Sequence, residues 1–221
     1  MKGLILKDLY AVRFQLIVSL VLMLIPCGVF TYIFAAVEKT DGSEFIIMMM
    51  CCILNYCCIV IFSSFVLNTV QEDVTSGWIK LQGTFPVKSG TAITAKFAVT
   101  FIVVGMLTLI SLIFNITVMA ILKINMNAEI MLAIPIAFAL MELIALLPCM
   151  VHKYKTTRAA FDYPLIMILT AIVGIVIAFA AMSGDISFTL LRVILYIILP
   201  VVTAAVAAAS YSYGKNVVVR E

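Results

Sequence analysis

Long apolar runs separated by short polar breaks set the pattern of this chain. A helix that crosses a bilayer core of about 30 Å needs about 20 mostly apolar residues. Runs of that kind occupy residues 16–36, 45–69, 97–122, 130–151, 164–182 and 188–210. The breaks are short except at residues 70–96, where the chain turns polar and reads TSGWIKLQGTFPVKSG over 75–90. The pattern predicts an all-α polytopic membrane protein. One domain covers residues 1–221, with six transmembrane helices and an extended segment between the second and the third. No internal repeat and no linker marks a second domain.

Composition sharpens this. Hydrophobic residues make up 65% of the chain and charged residues 11%, against about 45–50% and 25% in soluble domains. A soluble fold of this size has no interior large enough for that much apolar surface, so the solvent must be lipid. The first run is too long for a cleavable signal and lacks a small-residue cleavage site, so it should remain a membrane helix. The net charge of +3 follows topology. Only Lys39, Lys123 and Arg192 fall on the side opposite the termini, which leaves eleven of the 14 Lys and Arg on the terminal side. Because cytoplasmic loops carry the Lys/Arg excess, both termini and the 70–96 segment should face the cytosol. Glu38, Asp41, Glu44, Glu129 and Asp185 should then lie outside. No nucleic-acid partner is expected. The basic stretch HKYKTTRAAFD over 152–162 suits anionic lipid headgroups and anchors the topology.

Enzyme chemistry finds little support. All six cysteines fall inside predicted spans. The pairs Cys51/Cys52 and Cys57/Cys58 have no His or carboxylate near them on their helix. They read as small buried hydrophobes rather than metal ligands. His152 is the only His, so a His-based metal site or a Ser–His hydrolase is not available. No catalytic residue and no metal are expected.

The spans do carry polar groups. Counted at about 1.5 Å per residue from the outer end, Glu142 lies about 18 Å deep, Asn55 about 15 Å and Thr108 about 13 Å. Thr100, Thr108, Ser111 and Asn115 share an arc of about 80° on the third span. An ionisable group at such depth usually faces a bundle interior or a wet cavity. Two readings stay open. Glu142, Asn55, Thr108, Ser111 and Asn115 line a substrate route suited to a cationic or amphipathic cargo, or Glu142 is a hydrogen-bonded packing contact between helices. Gly174 and Ala178 on the fifth span, and the alanines over 204–209 on the sixth, let helix backbones approach closely. Pro26, Pro135, Pro148 and Pro200 are candidate kinks.

The 70–96 segment is the remaining puzzle, since long ordered loops are often functional. Glu72 and Asp73 open it and could pair with a partner or with Lys80 or Lys88. TSGWIKLQ predicts a short helix with Thr75 or Ser76 as N-cap and Gly83 at its end. FPVKSG then turns the chain, and Ser89 or Thr91 could cap the third span. Trp78 suits a docking knob or an anchor at the membrane interface, and residue chemistry alone does not separate the two.

The order Glu72, Ser76-Gly77-Trp78, Thr84-Phe85-Pro86-Val87, Lys88-Ser89 and Lys96 resembles the loop after the second helix of ABC-2 type transporter permeases. The opening MKGLILKDLY is similar to that family's start, and the likeness covers the whole chain. Phe85 stands where Leu is commoner, and Gln82-Gly83 breaks the helix early. Within the family the chain is most similar to small bacterial permeases of the branch that includes phenol-soluble modulin exporters. The resemblance implies the membrane-spanning permease subunit of an ATP-driven exporter in the bacterial cytoplasmic membrane, with an amphipathic cargo, peptide included. It implies a separate ABC ATPase that holds ATP and Mg, a second permease subunit, and contact with lipid. It implies an interfacial elbow helix over 1–14 carrying Lys2, Lys7 and Asp8. It also implies a cytosolic coupling helix within 70–96, with Glu72, Ser76, Gly77, Trp78, Leu81, Pro86 and Lys88 serving the ATPase contact. This chain binds no cofactor of its own on that reading, since it lacks the G-x-x-x-x-G-K-[ST] phosphate loop. The competing reading is a non-transporting accessory, immunity or sensor protein that uses the permease fold.

Overall fold

The computed structural model describes residues 2–36, 43–78, 89–122, 128–155 and 192–218. Those residues are helical throughout, apart from turns at Ser64 and at Ser76–Gly77, and no strand occurs among them. The chain runs through α1 (Lys2–Ala36), α2 (Ser43–Tyr56), a π-helical turn at Cys57–Ile61, α3 (Phe65–Thr75), α4 (Ser89–Leu122) and α5 (Ala128–Lys155). A second π-helical turn at Ile194–Ile198 leads into α6 (Leu199–Val218).

Four stretches are long and apolar enough to cross a membrane: Met49–Thr75, Gly90–Ile121, Met131–His152 and Ile194–Lys215. They match four of the six runs read from the sequence. In α1 the apolar stretch so marked is shorter, Leu24–Ile33. The run at 164–182 lies outside the described residues.

Two local expectations need correction. The opening segment is not a separate elbow helix, because α1 continues unbroken from Lys2 to Ala36. Between Gly3 and Pro26 no Gly or Pro occurs that could interrupt the hydrogen-bond ladder. At 35 residues, α1 is about 52 Å long and overshoots the hydrocarbon core. The predicted TSGWIKLQ helix lies outside the described residues beyond Trp78, and Thr75 and Ser76 do not start a helix either. They end α3, where the Ser76 amide donates to Glu72 O and the Thr75 hydroxyl donates to Gln71 O at 2.9 Å. Gly77 sits at φ +71°, the left-handed geometry that closes helices and that glycine adopts without strain.

The core forms where α3, α4 and α5 meet. Val66, Val70, Val99, Val103, Leu107, Leu146, Leu147 and Met150 are almost fully buried there. α5 is the enclosed centre. Two-thirds of its apolar stretch is buried (67%), against 17% for the last span. By contrast, Leu6, Tyr10, Phe14, Ile17, Val21 and Leu24 form an exposed apolar stripe down α1. Leu109, Ile113 and Ile116 form another on α4. Stripes of this kind mark surfaces that meet lipid or another protein.

Candidate functional site

Two polar layers lie between the helices, and an ionic cluster closes one end. Asn55 Nδ2 donates to Cys51 O at 2.7 Å and to Asn115 Oδ1 at 3.0 Å. Asn115 Nδ2 in turn donates to Met131 O at 2.7 Å. The physical reason is in the sequence of α5. Pro135, four residues on from Met131, has no N–H to give that carbonyl. Asn115 supplies the missing donor from the neighbouring helix.

The second layer joins Ser63 to Glu142. Ser63 Oγ lies 2.6 Å from Glu142 Oε1, and both residues are fully buried. The π turn makes this possible. Eight residues at about 100° each would leave Ser63 about 80° away from the Asn55 face. The wide turn at Cys57–Ile61 takes up about one extra residue and returns Ser63 to within about 20° of it. Ser111 and Thr100 are buried on the same side of α4, and Thr100 Oγ1 lies 3.0 Å from Met150 Sδ. Thr108 is half-buried and donates to Val104 O of its own helix. The predicted stripe thus faces the interior. The structure brings Asn55 to Asn115 and sets Glu142 against Ser63, a partner the sequence did not single out.

The ionic cluster lies at the end of the bundle that carries the start of α1. Lys96 Nζ, about two turns into α4, is 2.8 Å from Asp8 Oδ2 on α1 and 2.7 Å from Asp73 Oδ2 in the last turn of α3. It also reaches Thr69 Oγ1 at 3.2 Å and Thr69 O at 3.3 Å. An ammonium has three protons to place, and here all have acceptors. That is the condition under which a buried ion is tolerated. Lys7 adds a second cation. It pairs with Asp73 Oδ1, lies 3.8 Å from Asp8 Oδ1, and stacks 4.8 Å from the centre of the Trp78 ring. Two acids and two bases make the cluster neutral. Burial pushes the Asp8 carboxyl above the ordinary carboxylate range, with the Lys96 charge opposing it.

Asp73 therefore has partners on α1 and α4, while the loop lysines Lys80 and Lys88 lie outside the described residues. Glu72, one residue earlier, is exposed, as are Ser76 and Lys2. Trp78 is half-buried. Leu81, Pro86 and Lys88 lie outside the described residues. The sequence had marked Lys7, Asp8 and Lys96 as motif positions in separate segments, and their meeting point was not legible there. At the opposite end, Arg192 Nε and Nη2 donate to the two Glu129 oxygens at 2.7 and 2.6 Å. That pair ties the start of α5 to the turn before α6. No cluster of groups able to hold a metal occurs among the described residues.

Exposed apolar stripes, long apolar helices and polar groups turned inward between the helices define a multi-pass α-helical membrane protein. Over residues 3–214 the chain matches the family described as ABC-2 family transporter protein, and it belongs to that family. Proteins of this family are transport subunits without ATPase activity of their own, and they normally work with an ABC ATPase. No curated protein and no solved structure gave a match.

Proposed function

We propose that this chain is the permease subunit of an ATP-driven exporter of the bacterial cytoplasmic membrane. It pairs with a separate ATPase, which holds ATP and Mg, and with a second permease subunit. Its cargo is amphipathic, peptides among the candidates. The observation that carries this reading is the ionic cluster. It joins the opening segment, the start of the 70–96 segment and the start of α4, and its Lys7 stacks on Trp78, where a partner acting on the loop would engage. The Lys/Arg excess supports placing that end, with both termini, in the cytosol. On this reading the chain crosses the membrane six times. Gly214 packs against Val151 near the end of α5, while Arg192 pairs with Glu129 at the start of α5. The run at 164–182 has the apolar length for the return between those ends.

Co-purification in detergent with candidate ABC ATPases tests the reading, with wild type beside Trp78→Ala. A stable complex that loses the ATPase on substitution is expected, since a central Trp commonly contributes 2 kcal/mol or about 30-fold to an interface. If no ATPase binds wild type, the accessory or sensor role takes over. Equal binding by both forms returns Trp78 to the membrane interface.

The interior polar layers serve as packing contacts between helices of one subunit, supported by the Asn115–Met131 and Ser63–Glu142 contacts. Glu142→Gln keeps a hydrogen-bonding group there and is expected to leave cargo selectivity unchanged in an export assay. Altered selectivity would instead assign Glu142, with Asn55, Thr108, Ser111 and Asn115, to the cargo route.

A further inference from the structure

We infer that Lys7, Asp8, Asp73 and Lys96 are positioning residues. They fix the orientation of Trp78 and bind α1, α3 and α4 into one unit that moves together when the loop is engaged. The docking half of this inference rests on the permease reading above, whereas the orientation of Trp78 does not.

The contacts form an unbroken series. Asp8 on α1 pairs with Lys96 on α4, Lys96 with Asp73 on α3, Asp73 with Lys7, and Lys7 with the face of Trp78. Gly77, in its left-handed turn, lies between Asp73 and Trp78. Lys7 therefore bridges that turn, holding the helix end on one side and the ring on the other. Buried ion pairs seldom stabilise a fold more than apolar residues of the same size would. Their distinctive property is direction, since a hydrogen bond weakens steeply as it bends away from linear. The Asp8, Asp73 and Lys96 side chains are about 95% buried, while Lys7 is 41% exposed. Three members thus form a fixed frame, and Lys7 is the adjustable one that touches the ring. Any displacement of Trp78 pulls on Asp73 through Lys7, and from there on α4 and α1 through Lys96.

Trp78 is the sole Trp of the chain, so the intact protein carries its own reporter. Acrylamide quenching of its fluorescence is measured in detergent for wild type, Lys7→Met, Lys7→Arg and Asp73→Asn. Size exclusion confirms that each variant is monodisperse. The half-exposed Lys7 variants keep the test open if Asp73→Asn does not fold. Arg retains both the charge and the aromatic stacking. The expected result is a severalfold rise in the quenching constant for Lys7→Met and Asp73→Asn, with Lys7→Arg close to wild type. An unchanged constant in Lys7→Met overturns the inference. ATPase affinity of the same variants separates the two proposals. If wild type binds no ATPase, the permease reading fails while quenching still decides the frame. If wild type binds, Lys7→Met should lose about tenfold, the scale of one misplaced contact. Unchanged affinity alongside raised quenching overturns the docking role.

Discussion

Lys96 shows how much a single residue can hold in this protein. Its ammonium satisfies acceptors from α1 and α3 while itself belonging to α4. Removing one member of a buried ionic group leaves its partners uncompensated, at about 3–5 kcal/mol. Lys96→Met is expected to destabilise by about that amount, read as thermal or denaturant unfolding in detergent. Asp8→Asn should cost clearly less. The Asp8 pKa is raised by burial, so this acid contributes most when protonated, below its ordinary value of 3.8. That contribution is lost as pH rises through the folded value, and near neutrality the ionised form is held against its desolvation. Equal losses for the two variants would show this ordering to be wrong. Each of these residues was visible in the sequence as a charge beside an apolar run. Their convergence was not, because three separate helices have to pack before Asp8, Asp73 and Lys96 can meet.

The helices owe their packing to a few backbone positions. Gly214 on α6 faces α4 and α5 so closely that a Cβ there would lie 3.0 Å from Ile93 Cδ1 and 3.2 Å from both Val151 methyls. The β-branched Val151 has little rotamer freedom with which to yield. Gly214→Ala should push α6 outward at about 1–3 kcal/mol. Gly77→Ala meets no atom within 4 Å, so its cost of about 1 kcal/mol is the strain of the left-handed backbone. Unfolding midpoints of the two variants check this, and a tolerated Gly214→Ala would deny the close approach. The run lengths foretold where most helices lie. They did not foretell the continuity of α1 or the π turn at Cys57–Ile61, which the pairing of Ser63 with Glu142 makes necessary.

At the scale of the molecule, the two ends of the bundle are closed differently. One holds a buried, neutral ionic cluster and the other an exposed bidentate pair, Arg192 with Glu129. The hydrogen bond from Arg192 holds the Glu129 carboxyl below its ordinary value of 4.5. A lowered carboxylate pKa gives stability that is present above 4.5 and lost as pH falls through the folded value. Glu129→Gln should therefore lower the melting temperature slightly at neutral pH, because exposed pairs contribute little. The difference from wild type should vanish under strongly acidic conditions. A gap that persists in acid would mean that Glu129 acts by something other than its charge.

What the sequence determined by itself is whatever depends on local composition: a membrane protein, its apolar spans, the side expected to face the cytosol and the family resemblance. Hydrophobicity and charge act residue by residue, so their sums survive in a linear string. The tertiary structure alone decided which polar groups meet. Asn115 repairs the carbonyl left open by Pro135, and Lys96 draws Asp8 and Asp73 together, because a buried polar group must find its partner on whichever helix packs beside it.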